Sequence, residues 1–478
     1  MTGETRCTPP DASGDRLPLA PAQETLWEFM RALAPDDPGA ARLPVVDFRR
    51  IEGTVVLPAF EQALHDVKRR HHALRMVFDR LGDEPLLRTR AEPDVPFTYL
   101  DLSALPAAER QRRIDALVHG ERFPAFDLLA GPLWRVRLVR VGPGDHLLMS
   151  SFFHIISDGW SCQVFVEDLM QAYGTRLGHG SPPGDLDVTF GDVIAWQRAL
   201  LAEDPARDAY WRRQLLPLPT EPVFPPLATP RGRDLTAEVA HPFAFGDEVA
   251  AAVRDVAWRA RSTSFLVLLA AYHVLLCRRL GRDRLVAGTT TLGRTTPPAR
   301  RVIGQFTNNV YPALRVGPAD SFLDVVRSLH ATMTEAVAHV PSFNRLARAV
   351  CPDFDRMRPW SFIEVFDYWF QSAAPAAPDI QAPGLRVRQV SPGGEEALDG
   401  PPVADLAEAG DRLPVWARRG VPIVVVDDAR RGGVLIYNRD LYDPAAVGDL
   451  AAEYQEIVAA LTRAPQRALR DAFAAARA

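Results

Sequence analysis

Phe152-Phe153-His154-Ile155-Ile156-Ser157-Asp158-Gly159-Trp160-Ser161 is the stretch whose reading decides the fold: a strand-like run ends there on an imidazole and passes through a glycine-containing loop into a helix. Upstream, Asp145 to Phe153 carries the apolar run Leu147-Leu148-Met149, long enough for a strand buried on both faces. Downstream, Val164, Phe165, Leu169 and Met170 recur at helical spacing between Ser161 and Tyr173. His154 is thereby placed at a strand end. Gly159 is expected to let the backbone turn sharply and to admit a ligand chain close to the main chain. A lone histidine at such a point is as a rule a satisfied core residue, so the residues around it must decide its role.

Working outward, Leu133 to Val141 forms a hairpin with Asp145 to Phe153 across the turn Gly142-Pro143-Gly144-Asp145. Leu86 to Arg90 and Phe97 to Leu100 read as strands, and Leu57 to Arg70 and Pro106 to Gly120 as helices. A helix opens at Ala20-Pro21, with Pro just inside its first turn. The Gly-, Pro- and Ser-rich segment from Leu177 to Val188 marks a boundary between two lobes, and Pro217 to Pro230 reads as an extended linker. Beyond it, Asp247 to Ala260, Ser264 to Leu280 and Ser321 to His339 are helices. Strands are expected at Leu285 to Leu292, Val421 to Asp427 and Val434 to Tyr437, with a long loop system from Ser372 to Pro414.

Bulk properties narrow the classes of function. At 478 residues the chain predicts about three domains or two large lobes, and 47% hydrophobic with 24% charged residues is ordinary globular composition. A net charge of -5 carries no nucleic-acid footprint. Lys68 is the only lysine, which argues against Schiff-base chemistry. Cys7, Cys162, Cys277 and Cys351 are scattered without a CxxC pair, so a reduced, cytoplasmic protein is expected. His71-His72 do not share a helix face, and no metal site is expected. Residues 1–16 read as disordered and lack an apolar signal region, and Phe265 to Cys277 is too short to span a bilayer.

The string Phe153-His154-Ile155-Ile156-Ser157-Asp158-Gly159 resembles the HHxxxDG signature of the condensation domains of nonribosomal peptide synthetases, members of the chloramphenicol-acetyltransferase-like superfamily. The second signature histidine is His154; Phe153 stands where the first would be. Other stretches resemble the family's motifs in the same order. Ala20 to Trp27 is similar to SxAQxRLW, Arg70 to Phe78 to RHExLRTxF, Phe190 to Arg198 to YxDFAxWQ, and Val302 to Arg315 to (I/V)GxFxNTxPxR. His339 to Phe343 keeps a remnant of HQDxPFE without its acidic and amide residues. Trp360 to Tyr368 resembles a late strand of the family, and Leu435 to Leu461 its closing strand and helix. Weak matches in the right order, from Leu17 to Leu461, are more specific than any one alone.

The resemblance implies an α/β (α+β) fold of two chloramphenicol-acetyltransferase-like lobes in a V-shaped pseudo-dimer, 17–180 and 187–478, with a central tunnel and the His154 loop at its midpoint. It implies acyl transfer from a carrier-protein phosphopantetheine thioester to an amine or alcohol, with no intrinsic cofactor. With no adenylation motif, thiolation serine or GxSxG in the chain, a free-standing enzyme or an excised domain is expected, and a free small molecule is the expected acceptor. By the same resemblance His154 is catalytic as base or positioner, Asp158 holds the loop with Arg75 or Arg315 as its partner, and Gly159 is structural with them. Backbone N–H groups around Gly159 and Trp160 are oxyanion donors, while Phe153, Ser161 and Asn308 belong to the oxyanion or tunnel region. Two other readings stay open: an acyl-CoA-dependent acyltransferase of the same fold, and a non-catalytic module that recruits other enzymes.

Overall fold

The computed structural model describes residues 16–33, 44–82, 84–91, 94–122, 126–200, 204–217, 238–294, 296–341, 343–351, 366–372, 377–390, 422–427 and 431–470. The Pro217 to Pro230 linker, the Trp360 to Tyr368 strand and residues 1–16 fall almost wholly outside these. Tyr368 itself opens a strand, and Arg16 pairs in a small sheet rather than belonging to a disordered start.

In chain order the first half runs β1 (Arg16–Pro18), α1 (Pro21–Leu33), β2 (Pro44–Gly53), α2 (Leu57–Arg70), β3 (Met76–Arg80), β4 (Leu86–Thr89), β5 (Phe97–Asp101), α3 (Ala107–Arg122), β6 (Trp134–Gly142), β7 (Asp145–Phe153) and α4 (Gly159–Arg176). The second half runs α5 (Phe190–Leu200), α6 (Pro205–Leu215), β8 (Glu238–Ala244), α7 (Asp247–Ala260), α8 (Ser264–Leu280), β9 (Arg284–Thr291), β10 (Asn308–Val310), β11 (Ala313–Arg315), α9 (Phe322–Ala338) and α10 (Phe343–Val350). It closes with β12 (Tyr368–Ser372), β13 (Ile380–Ala382), β14 (Leu385–Gln389), β15 (Ile423–Asp427), β16 (Gly432–Asn438) and α11 (Pro444–Arg463).

Local chemistry sets these boundaries. The α8 helix starts where the Thr263 hydroxyl accepts the Leu266 N–H at 3.3 Å and stops at Gly281, whose φ of 64° suits a left-handed cap. Its apolar residues run all round and are buried, as an interior helix requires. Among the described residues no single helix is long and apolar enough to cross a membrane; α7 and α8 pass that test only as a pair bent by 101°.

Two large sheets organise the chain. In the N-terminal lobe the order is β13-β14-β2-β7-β6-β5, with β7 paired along its length to both β2 and β6. That central place is why its apolar run needs no polar face. In the C-terminal lobe the order is β10-β9-β12-β15-β16-β8, with β11 on the same edge of β9 as β10. Strands β13 and β14 fall inside the segment expected to be a long loop, and they amend the division at residues 17–180 and 187–478. They come from the second half of the chain, yet β14 pairs with β2 and closes the edge of the first lobe's sheet. Phe190 of α5 also sits in the N-terminal core, alongside Val302, Ile303 and Phe306.

Candidate functional site

The site is built where β7 ends. Phe153 leads into a 3-10 turn, His154–Ile156, and Asp158 then caps α4 by accepting the Ser161 N–H at 2.9 Å. Gly159 is the first residue of α4 and is not among the positive-φ glycines, so the sharp turn comes from the 3-10 segment and the cap. His154 is half-buried, and its Nδ1 lies 2.8 Å from the Ser157 carbonyl oxygen. A carbonyl can only accept, so Nδ1 carries a proton; in the neutral ring Nε2 is then a lone pair. Among the described residues no side chain or carbonyl is paired with that Nε2.

Asp158 points away from the imidazole. Its Oδ1 accepts from the Ser161 hydroxyl at 2.7 Å and from Arg294 Nη2 at 2.8 Å, and its Oδ2 accepts the Phe306 N–H at 3.2 Å. The pair is sealed, with 2% of each side chain exposed. The partner is therefore Arg294, neither Arg75 nor Arg315. Arg315 is exposed and pairs with Asp283. Arg75 lies on a short 3-10 turn, His72–Arg75, where burial lowers its guanidinium pKa and its Nε has no partner. Neither sits where a carboxylate at Asp158 could use it.

Arg294 belongs to the connector between β9 and β10, which reaches from the C-terminal lobe onto α4. Its Nη1 donates to the carbonyls of Ala299 and Val302 at 2.6 and 2.7 Å, and its guanidinium lies 3.9 Å from the Phe306 ring centroid. Burial pulls the Arg294 pKa down and the Asp158 carboxylate opposes it. The connector is held elsewhere too. Arg301 Nη2 donates to Asp168 at 2.7 Å, the Trp160 indole N–H to the Arg300 carbonyl at 2.9 Å, and the Gly304 N–H to the Ser161 hydroxyl at 3.1 Å. Close approach explains Gly304: a Cβ there would lie 2.2 Å from the Phe190 ring. Gly293, at φ 64°, would set one 1.9 Å from the Phe306 carbonyl oxygen.

Three residues expected around the reacting centre are committed elsewhere. Ser161 is a buried fastener between Asp158 and Gly304, with its hydroxyl 2.9 Å from the Gly304 carbonyl. Phe153 is fully buried in the N-terminal core, its ring centroid 5.7 Å from that of Phe126, so it packs the strand end and lines no tunnel. The Asn308 amide donates to the Pro341 carbonyl at 3.2 Å while its oxygen accepts the Asn309 N–H at 2.8 Å. Trp160 is 36% exposed in the first turn of α4, with its indole N–H on the Arg300 carbonyl. With Ser161 N–H used by the cap, the N–H groups of Gly159 and Trp160 head the exposed end of α4.

Sequence reasoning missed a second fastening. Asp168 is sealed and collects Arg70 Nε at 2.7 Å, His71 Nε2 at 2.8 Å and Arg301. Burial alone would raise its carboxyl pKa, but His71 and Arg70 outweigh that and hold it low. Burial keeps His71 itself below the usual imidazole value against the pull of Asp168. Its neutral ring donates from Nε2 and accepts the Ile303 N–H at Nδ1, 3.4 Å away. Gln23 enters the sequence reading only as part of a motif; its side chain is buried, with Nε2 2.6 Å from the Ile155 carbonyl oxygen. A buried amide on an otherwise apolar helix face was the available signal. Among the described residues no group of three His, Cys, Asp or Glu side chains is placed to hold a metal ion.

Comparison with known proteins places this geometry. The family model described as Condensation domain matches residues 14–352. Phosphinothricin tripeptide synthetase PhsC of Streptomyces viridochromogenes is 34% identical over 336 residues, which cover 69% of this chain and 30% of that protein. A linear gramicidin synthase of Brevibacillus parabrevis is 30% identical over 332 residues, 68% of this chain and 6% of that protein. The chain thus spans well under half the length of these curated relatives. Among solved structures, SgcC5 from Streptomyces globisporus superposes with a TM-score of 0.73 at 23% identity, covering 95% of this chain and 100% of that one. The X-domain from teicoplanin biosynthesis gives 0.75 at 21% identity, covering 96% and 97%. At these identities the structures speak for the shared fold.

Proposed function

The chain belongs to the condensation-domain family, and from that premise we propose that it transfers an acyl or aminoacyl group from a carrier-protein phosphopantetheine thioester to an amine or alcohol, forming an amide or ester. The observation that carries this reading is the His154 ring: Nδ1 is tied to the Ser157 carbonyl, which in the neutral ring leaves Nε2 as the lone pair.

A thioester is already activated, so the protein has to orient the two substrates, remove one proton and stabilise an oxyanion. As the acceptor nitrogen or oxygen bonds to the thioester carbon, Nε2 of His154 takes its proton. The carbonyl oxygen becomes an oxyanion, and the N–H groups of Gly159 and Trp160 are the donors that face it. Collapse breaks the carbon–sulfur bond, and the phosphopantetheine thiolate leaves with the proton held by the imidazolium. Asp158 and Arg294 take no part in proton transfer; they fix the helix end that supplies the donors.

The test is a purified carrier protein loaded with an acyl phosphopantetheine, incubated with this protein and with candidate acceptors, free or themselves carrier-bound, product being read by mass spectrometry. Product with the wild type and none with His154→Ala is the expected result. A second reading, recruitment of another protein without turnover, draws on Phe153 in place of the first signature histidine and on the eroded His339 to Phe343 motif. No product from a folded protein with any loaded carrier would favour it. Equal turnover of acyl-CoA and loaded carrier would favour the acyl-CoA-dependent alternative.

A further inference from the structure

We infer that Gln23 is a positioning residue for His154, acting through the Ile155 carbonyl; the inference rests on the reading of His154 as the proton acceptor. Gln23 is fully buried on α1. Its Oε1 accepts the Ala20 N–H at 2.7 Å and its Nε2 donates to the Ile155 oxygen at 2.6 Å, across 132 positions of sequence. Ile155 is the middle residue of the 3-10 turn that begins at His154. Among the described residues the turn's other hydrogen bonds are internal, from His154 Nδ1 to the Ser157 carbonyl and from the Ser157 N–H to the His154 carbonyl at 3.3 Å. Core packing of the Ile155 and Ile156 side chains holds the turn in place, but among the described residues no other hydrogen bond gives its peptide planes a reference point outside it. The Gln23 amide supplies one, because fixing the Ile155 carbonyl fixes the peptide plane that follows His154 and, with it, the ring's distance to the start of α4.

The anchor is itself well held. Arg198 of α5 donates from Nη1 to the Leu19 carbonyl at 2.7 Å and to Glu24 at 2.8 Å, so the start of α1 is bound on both sides of Gln23. Helix α1 also touches α10 of the C-terminal lobe. The amide therefore ties the turn of one lobe to a helix that contacts the other.

The two ends of the amide do different work, and substitution separates them. Gln23→Glu keeps an acceptor for Ala20 but, when ionised, presents no donor to Ile155; protonated, its O–H restores the donor. Gln23→Met removes both at similar volume. The titratable and charged groups on the elements around Gln23 are Glu24, Glu28 and Arg31 of α1, with Glu24 paired to Arg198 of α5, His154 on the turn, and Arg345, paired with Asp208, and Arg348 on α10. They do not simply cancel in the ratio of variant to wild-type rate, but the charge of an ionised carboxylate at position 23 would favour a protonated His154 ring and so depress the ratio as pH falls, opposite in sign to the effect of restoring the donor.

Both variants and His154→Ala are assayed with loaded carrier from pH 6 to pH 9, folding being checked by circular dichroism. The expected result at the alkaline end is a kcat loss of roughly 10–100-fold in Gln23→Glu, the cost of a misplaced catalytic group, with KM for the carrier within about two-fold. The Gln23→Glu to wild-type ratio should climb as pH falls, while the Gln23→Met ratio stays low and flat. Folded Gln23→Met at the wild-type kcat, or a Gln23→Glu ratio that is flat with pH, overturns the inference. In either case an inactive His154→Ala leaves the reading of His154 standing, whereas an active His154→Ala removes the reading itself.

Discussion

Helix α4 is fastened to the connector from the C-terminal lobe at two buried carboxylates, and the two fastenings are built differently. At the cap, Asp158 has one guanidinium partner among the described residues, Arg294, and both side chains are sealed. Further along the helix, Asp168 is equally sealed but shares Arg70, His71 and Arg301, the last with 50% of its side chain exposed. The first fastening has no spare charge, so losing either partner strands the other in a dry place. The second is redundant. The His154 turn abuts the first one, so on the proposed function the reacting imidazole and the sealed pair occupy neighbouring residues.

The comparison can be broken most directly at His154. His154→Ala should lower kcat by about 10²–10⁴-fold with an unchanged melting temperature, since the half-buried ring has a single hydrogen bond to lose, the one to the Ser157 carbonyl. Wild-type turnover by the folded variant would remove the functional half of the contrast. Next in size, Asp158→Ala should cost about 3–5 kcal/mol, read by denaturant unfolding, because Arg294 would remain buried without its carboxylate. Arg315→Ala is the matched control; its partner Asp283 is exposed, and a change within about 0.5 kcal/mol is expected. A larger loss at Arg315 than at Asp158 would reverse the assignment of partners.

Acid sharpens the contrast, because among the described residues one buried imidazole, His71, is bonded to Asp168 and none to Asp158. Burial holds His72 at about 4 and His71 below its usual value, and His273 in the C-terminal core is also lowered to about 4. Relative to an unfolded value of about 6.5, the folded state binds fewer protons. The stability is thus fully present above about pH 6.5 and is lost as pH falls toward 4, by up to about 3 kcal/mol for each histidine lowered that far. Unfolding midpoints that stay level from pH 7 to pH 4 would contradict this. The smallest effect is expected for Arg301→Ala, about 0–1 kcal/mol, since the side chain is half-exposed and Asp168 keeps Arg70 and His71. A cost as large as that of Asp158→Ala would make the two fastenings equivalent.

Much of the fold was legible because it is written in short-range pattern. The limits of α2, α7, α8 and β7 coincide with the periodic runs Leu57 to Arg70, Asp247 to Ala260, Ser264 to Leu280 and Asp145 to Phe153. A buried face, a cap and a stop lie within a few residues of each other in such elements. Strands β13 and β14 were not legible. They are short and follow a Pro- and Ala-rich segment, and what makes them strands is the free edge of β2, more than 300 positions earlier.

The site divides the same way. His154 at a strand end, Asp158 before a helix and the order of the motifs follow from the sequence alone, because each depends on neighbours in the chain. The family resemblance added that Asp158 takes an arginine partner. Which cation was decided only by the tertiary structure: Arg75, Arg294 and Arg315 are alike as residues, and Arg294 alone is carried by the connector to within 2.8 Å of that carboxylate. The same holds for Gln23 on Ile155 and Asp168 with Arg301. Partners more than a hundred positions apart leave no periodic trace, because packing selects them by where folded elements meet.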